Sequence, residues 1–444
     1  RVVAAPNPPF DGPFVVSTRT FDQLSSRWQA YTSLDSVVLD LTDGEPESAD
    51  LEALCSWCRS GGKLIVVGVP AGRLAQMAPF GSYMQDRFRS EPGDGKEFKQ
   101  AGLIAYQFGF GTLITQERLT DERELFDEDP KGDLPVAFVA DQTEFVTDWA
   151  RASFKQHSRQ TRVQRTIEGF EDLPIRSLMM LIVLFAILMG PVNFIWLRKS
   201  KKPMLLLVTV PGIALVTSVG LLLYGVLSQG LDVKAITKSW AVLDQRLQLA
   251  THVEVREVFA GSAPDGGMRP QAGTVVMPES RYWHGSFRTE HMFISDQTNG
   301  TLLSGDYFPV RQPFSQMIYG DRSSRLRLDA KSQDGEVEVS NGLGEGITEL
   351  LLRSPNGEYH YLDGSLAAGS STQLKPGGGS TKVAHWKADL TSILGSETSG
   401  LAPGTYIANM NAGPLRDDCG VTVNEIKGEH VLLGILETDP GAWQ

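Results

Sequence analysis

Two uninterrupted apolar stretches constrain this chain more than any other feature. Residues 177–197 read SLMMLIVLFAILMGPVNFIWL and residues 204–228 read MLLLVTVPGIALVTSVGLLLYGVLS, with no charged side chain in either. About 20 apolar residues span the hydrocarbon core of a bilayer. A core helix of a water-soluble protein would be shorter and would carry a polar face. The pattern predicts a two-helix transmembrane hairpin over 177–228. Between the stretches lie Arg198, Lys199, Lys201 and Lys202. Burying four such charges would cost on the order of 10 kcal/mol, so this bend marks a water boundary. The outer flanks carry sparser charge: Arg162, Arg165 and Arg176 before, Lys234 and Lys238 after. The positive-inside bias then puts the bend in the cytoplasm and both large segments outside it, with Phe194, Trp196 and Tyr224 as interfacial aromatics.

Within the hairpin, Pro191 and Pro211 are tolerable because neighbouring groups can satisfy the freed carbonyls. Ala214 and Ser218 read either as a small-xxx-small pair that would permit close helix approach or as ordinary lipid-facing residues. Asn193 is the one strongly polar side chain of the first stretch and could bridge to the second. A transporter would need several ionisable groups inside the membrane, and these stretches have none. Export of the first segment would require a signal upstream of Arg1.

Composition narrows the rest. The chain has 444 residues and is 41% hydrophobic, which suits two to four folded units. A net charge of −12 argues against nucleic acid as a partner, since phosphate backbones call for a basic face. Three cysteines cannot build a disulfide framework.

Before the apolar stretches, short β-branched runs at 13–17, 36–41 and 63–69 alternate with helical patterns at 21–30 and 48–60. Ser48 reads as an N-cap and Gly61-Gly62 as a stop. Such alternation predicts a doubly wound α/β domain over 1–142. An amphipathic connector helix is expected over 143–176, either lying at a membrane surface or a surface helix with a basic face. The segment Leu24, Arg27-Trp28, Tyr31 and Leu34–Leu39, then Leu51–Leu54 with Trp57, then Gly61–Val67, resembles class I glutamine-amidotransferase-like domains of bacterial membrane-anchored envelope proteins. Gly190-Pro191-Val192-Asn193-Phe194, Leu197-Arg198-Lys199 and the internal Pro211 are similar to the hairpin of those proteins. The resemblance implies the bacterial inner membrane, with both large domains periplasmic. It implies an architecture more than an activity, because those relatives are mostly of unknown function.

An amidotransferase needs a cysteine at a sharp strand-to-helix turn. The matching turn is Gly68-Val69-Pro70-Ala71-Gly72. It keeps Gly68 and Gly72 but places Pro70 at the nucleophile position, where there is neither a thiol nor an N–H for an oxyanion. A catalytically silent domain is expected. Cys55 and Cys58 form a C-x-x-C late in a helix rather than at its N-terminus, so buried packing is favoured over a redox pair. Cys419 has no evident partner. The acidic run 121–133 lacks calcium-loop spacing and reads as a solvated loop.

From 229 to 444, alternating runs separated by turn residues predict a mainly-β, sandwich-like domain. The stretch 237–249 is ambiguous between helix and strand. Gly342–Gly346 reads as a loop between strands rather than a phosphate cradle, which should open a helix. The seven histidines are scattered without ligand spacing, so neither a metal nor a cofactor is expected. The functional expectation is a non-enzymatic membrane-anchored scaffold in a larger envelope complex, with membrane lipids and other envelope proteins as partners. Two alternatives remain: an accessory subunit of an ATP-driven envelope transporter that grips a lipid or glycan, and a hydrolase or amidotransferase with an unrecognised site.

Overall fold

The computed structural model of the chain describes residues 2–6, 17–83 except 33 and 43, 103–116, 175–199, 204, 206–230, 232–279 except 265, most of 292–377, 385–386, 389–390 and 400–437. The acidic run 121–133, the connector expected over 143–176 up to residue 174, and Lys201 and Lys202 lie outside the described residues.

Residues 13–16 of the first β-branched run lie outside the described residues, and the runs at 36–41 and 63–69 supply two of the six strands described before residue 117. The six are β1 (Val2–Pro6), β2 (Ser17–Arg19), β3 (Leu34–Asp40), β4 (Lys63–Val67), β5 (Leu103–Phe108) and β6 (Gly111–Gln116). They make a six-stranded sheet in the order β2-β1-β3-β4-β6-β5. Only β3, β4 and β6 run parallel; the flanking pairs are antiparallel. The doubly wound α/β domain is therefore corrected to a mixed sheet. Its outer strands return through antiparallel pairing, so few helical crossovers are needed.

One longer helix, α1 (Ser48–Arg59), links β3 to β4, with Glu47 rather than Ser48 as its N-cap residue. Leu51, Ala53, Leu54, Cys55, Trp57 and Cys58 are buried, and so are Ser56 and Arg59. Ser48, Ala49 and Glu52 are exposed, but from Ala53 to Arg59 the helix is buried on every side and must be covered from two. Here the small sheet covers one side and a large sheet the other, and a single apolar cluster joins Leu54, Trp57 and Leu64 to Trp240, Val253, Val255 and Tyr319. Two short helices follow β4: α2 (Ala71–Leu74) and α3 (Phe80–Tyr83).

The apolar stretches are helical but do not form the expected crossing. The first is divided into α4 (Ile175–Ile187), a π-helical turn (Leu188–Val192) and α5 (Asn193–Lys199). Pro191 sits in the π turn, where its missing N–H breaks the regular ladder. The second is α6 (Leu206–Gln229), whose described side chains run from Leu207 to Leu221, with Leu223. Among the described residues no helix is long and apolar enough to cross a membrane. The transmembrane hairpin, and the inner-membrane placement with two periplasmic domains that depended on it, are corrected accordingly.

The rest is strand. β7 (Val233–Asp244), β8 (Leu249–Ala260), β9 (Thr274–Glu279), β10 (Met292–Gln297), β11 (Gly300–Gly305), β12 (Pro313–Ser323) and β13 (Arg327–Gln333) come first. β14 (Glu336–Gly342), β15 (Ile347–Arg353), β16 (Tyr359–Tyr361), β17 (Ser371–Pro376), β18 (Thr405–Met410) and β19 (Val423–Ile435) complete the set. The ambiguous stretch 237–249 belongs to β7 and the start of β8, and Gly342–Gly346 links β14 to β15. Eleven strands form one sheet in the order β13-β14-β17-β16-β15-β18-β19-β7-β8-β12-β9, and β10 and β11 pair separately. β19 and β7 are the parallel pair. Leu328, Val337, Val339 and Leu374 at one end of the sheet pack with Leu350, Leu352, Tyr406 and Leu432. The mainly-β content is compatible with the expected sandwich-like domain, and eleven of its described strands are joined in one continuous sheet.

Candidate functional site

The Gly68–Gly72 turn lies where β4 runs into α2. Gly68 has φ +82°, a left-handed conformation. A Cβ there would collide with the Thr42 side chain and come within 2.8 Å of the Thr42 nitrogen, so the turn needs glycine twice over. Asp40 Oδ1 accepts both the Thr42 N–H at 3.0 Å and the Thr42 hydroxyl at 2.7 Å. Pro70 caps α2, and Gly72 faces open space. The turn holds backbone shape without presenting a nucleophile.

Cys55 and Cys58 are free and fully buried within α1, and Cys419 is free and buried as well. Cys58 Sγ donates to the carbonyls of Thr112 at 3.3 Å and Gly62 at 3.5 Å. Burial raises the Cys58 thiol to about 12 and pushes Cys55 well above its ordinary value. Neither is a ready thiolate. In the helical region, Asn193 Nδ2 donates to Thr209 Oγ1 at 3.0 Å and ties the first stretch to α6. Ala214 is half-buried and Ser218 exposed, while Arg198 and Lys199 are exposed at the end of α5.

A richer constellation lies on the large sheet, on the face turned away from α1. Alternation along β7, β8, β12 and β19 sends one set of side chains toward α1 and the other to the opposite face. On that opposite face the register aligns Thr237, Arg256 and Gln316 in one row across three strands. The next row pairs Ser239 with Glu254 and, across the parallel junction, with His430. All are buried. Polar residues in this position are unusual, because sheet faces covered by chain normally fill with apolar groups.

Ser239 Oγ lies 2.7 Å from His430 Nδ1. His430 Nε2 lies 2.7 Å from Glu425 Oε1. Arg416 Nη1 donates to the other Glu425 oxygen at 2.6 Å, and Arg416 Nη2 donates to the Val423 carbonyl. With Glu425 accepting from Nε2–H, the neutral imidazole leaves its Nδ1 lone pair toward the serine hydroxyl. Alongside, Arg256 Nε donates to Glu254 Oε1 at 2.6 Å and Arg256 Nη2 to the Asp417 carbonyl at 3.0 Å. Burial pushes the Glu254 carboxyl up, and the Arg256 guanidinium pulls it back. Arg256 Nη1, Thr237 Oγ1 and both amide atoms of Gln316 have no hydrogen-bond partner. The segment 411–421, between β18 and β19, crosses over this face through the Asp417, Arg416 and Gly413 contacts.

Sequence reasoning missed this group. Ser239 and His430 are separated by 191 positions, and only the parallel β19–β7 register makes them neighbours. Glu425 and His430 are close in sequence, but a register shift between Glu425 and Lys427 sets their approach, and no local pattern announces it. Among the described residues no group of histidine, cysteine and carboxylate side chains could hold a metal ion.

No family model matches this chain, and no curated protein matches it. Two solved structures of the yeast delta-COP-I mu-homology domain, one of them complexed with a Dsl1 WxWxV peptide, are similar to part of it. They share 8% and 7% identity and a TM-score of 0.20, and each match covers 46% of this chain and 95% of that domain. At that score the likeness carries no argument. The resemblance to membrane-anchored amidotransferase-like proteins is corrected: the mixed sheet order, the helices and the lack of a family match do not support it.

Proposed function

We propose that this chain is a structural subunit of a larger protein assembly, whose exposed apolar helices dock against apolar helices of partner subunits. The observation that carries the reading is the bare surface of α4 to α6. Met180 is 76% exposed, Leu207 83% and Val216 72%, and Ile182, Val183, Phe194, Ile195, Trp196 and Leu215 are all exposed with them. Isolated soluble chains rarely leave so large a contiguous apolar patch uncovered. Exposure is not confined to one stripe of either helix, so cover is needed from more than one side, as in a helix cluster. Arg198 and Lys199 rim one end and suit acidic side chains on the partner.

The test is purification of the tagged full chain from its own host under mild conditions, followed by oxidative footprinting. A partner recovered in stoichiometric amount, with Met179, Met180 and Met204 protected in the complex and oxidised in the dissociated chain, is the expected result. Recovery of a free monomer, or a complex in which those methionines stay open to oxidation, sinks the proposal.

A further inference from the structure

The Ser239 group holds the parts of a nucleophilic site, and nothing in the assembly role uses it. A serine hydroxyl sits within hydrogen-bond reach of an imidazole nitrogen, and a carboxylate orients the imidazole from the other side, at 2.7 Å each. This is the general arrangement of an activated nucleophile: base beside hydroxyl, orienting group behind base. Two glycines make room for it. A Cβ on Gly413 would stand 3.2 Å from His430 Nδ1 and 3.4 Å from Ser239 Oγ. A Cβ on Gly428 would collide with Glu425 Oε1 and His430 Nε2.

A second observation is independent of the first. One row along the same face, Thr237 Oγ1, Arg256 Nη1 and both amide atoms of Gln316 are buried without partners, three of these four being able to donate. Buried polar atoms are nearly always satisfied, so a cluster of unsatisfied donors beside a hydroxyl–imidazole pair calls for an occupant that accepts hydrogen bonds. The carbonyl and alkoxy oxygens of an ester have that chemistry.

We propose that Ser239 is the nucleophile of a covered acyl-transfer site that takes a small carboxylic ester, with His430 as its base, Glu425 as the residue that positions His430, and the Thr237–Arg256–Gln316 row as its donors. Ser239 Oγ attacks the ester carbonyl carbon and its proton passes to His430 Nδ1. The carbon–oxygen bond to the alcohol breaks, and the alcohol leaves with the proton from His430. Water then attacks the acyl-serine, releasing the carboxylic acid and restoring the hydroxyl. The segment 411–421 covers the site, so the ester reaches Ser239 when that segment lifts, and small esters are favoured over large ones.

The experiment treats the folded full chain with a small fluorophosphonate and, separately, with p-nitrophenyl acetate, and follows intact mass and peptide mapping. The expected result is a single adduct at Ser239, absent in Ser239→Ala and formed roughly 100-fold more slowly in His430→Gln. No adduct at Ser239 in the folded wild-type chain overturns the proposal. So does an adduct whose rate His430→Gln leaves unchanged. Peptide mapping of the wild-type chain decides the matter even if a variant fails to fold, and a negative result leaves the assembly reading untouched.

Discussion

Arg59, at the last turn of α1, grips Asp321 of β12 with two parallel hydrogen bonds, Nε to Oδ1 at 3.0 Å and Nη2 to Oδ2 at 2.7 Å. Thr251 Oγ1 donates to the same Oδ1 at 2.7 Å, and Ser56 Oγ accepts from Arg59 Nη2. Both charged side chains are about 95% buried. The pair joins the small sheet's helix to the large sheet and fixes how the two pack. Removing one partner strands a buried charge. We expect Arg59→Ala to destabilise the chain by about 3–5 kcal/mol, and Arg59→Met with Asp321→Leu to cost much less. Denaturant midpoints for the single and double variants check this, and equal losses in both would contradict it.

The thiols of Cys55 and Cys58 should be inert in the folded chain. Both are wholly buried, and burial raises their pKa values, so little thiolate exists at neutral pH. We expect alkylation of all three cysteines to require denaturant. Rapid labelling of Cys55 or Cys58 in native buffer would show that α1 opens locally far more often than its two-sided burial implies.

Gly68 should resist substitution on backbone grounds alone. An alanine must adopt φ near +82° and push aside Thr42, which is held to Asp40 by two hydrogen bonds. Gly68→Ala should cost on the order of 1–3 kcal/mol, while Gly72→Ala, in helical backbone and facing open space, should be neutral or stabilise by up to about 1 kcal/mol. Thermal melts of the pair read the difference directly.

What the residue pattern disclosed was local. The β3–α1–β4 unit is legible because β-branched runs flank an apolar helix stopped at Gly61-Gly62. The strand-rich character after residue 229 follows from alternation and turns, yet alternation cannot say that eleven strands share one sheet. The doubly wound expectation failed because strand–helix alternation over three runs does not report how the outer strands return. The apolar stretches at 177–197 and 204–228 predicted a membrane-crossing pair; they are helical, but no described helix is long and apolar enough to cross a membrane, and length in sequence did not foresee the π turn at Leu188–Val192. The Ser239–His430 pair was invisible because it depends on a register between strands far apart in the chain. Trp57 on α1 and Trp240 on β7 share one core for the same reason, and no window of sequence contains both.

His252 gives the fold a defined weakness to acid. Its ring is buried on the polar face of β8, and neither nitrogen has a hydrogen-bond partner. Burial above all, with the nearby Arg322 charge, lowers its pKa from 6.5 to about 4, although Asp417 and Asp321 oppose the shift. The unfolded chain takes up this proton near its ordinary value, and the folded chain only near 4. Between those points the unfolded state binds more protons, so stability falls as pH falls. The contribution is fully present above about pH 6.5 and is lost progressively toward pH 4, with a span of about 3 kcal/mol. His252→Met should remove this slope while preserving the bulk of the side chain. Urea unfolding of both chains at several pH values between about 7 and 4.5 measures it. Parallel curves for the two would mean that the buried ring of His252 does not govern acid sensitivity.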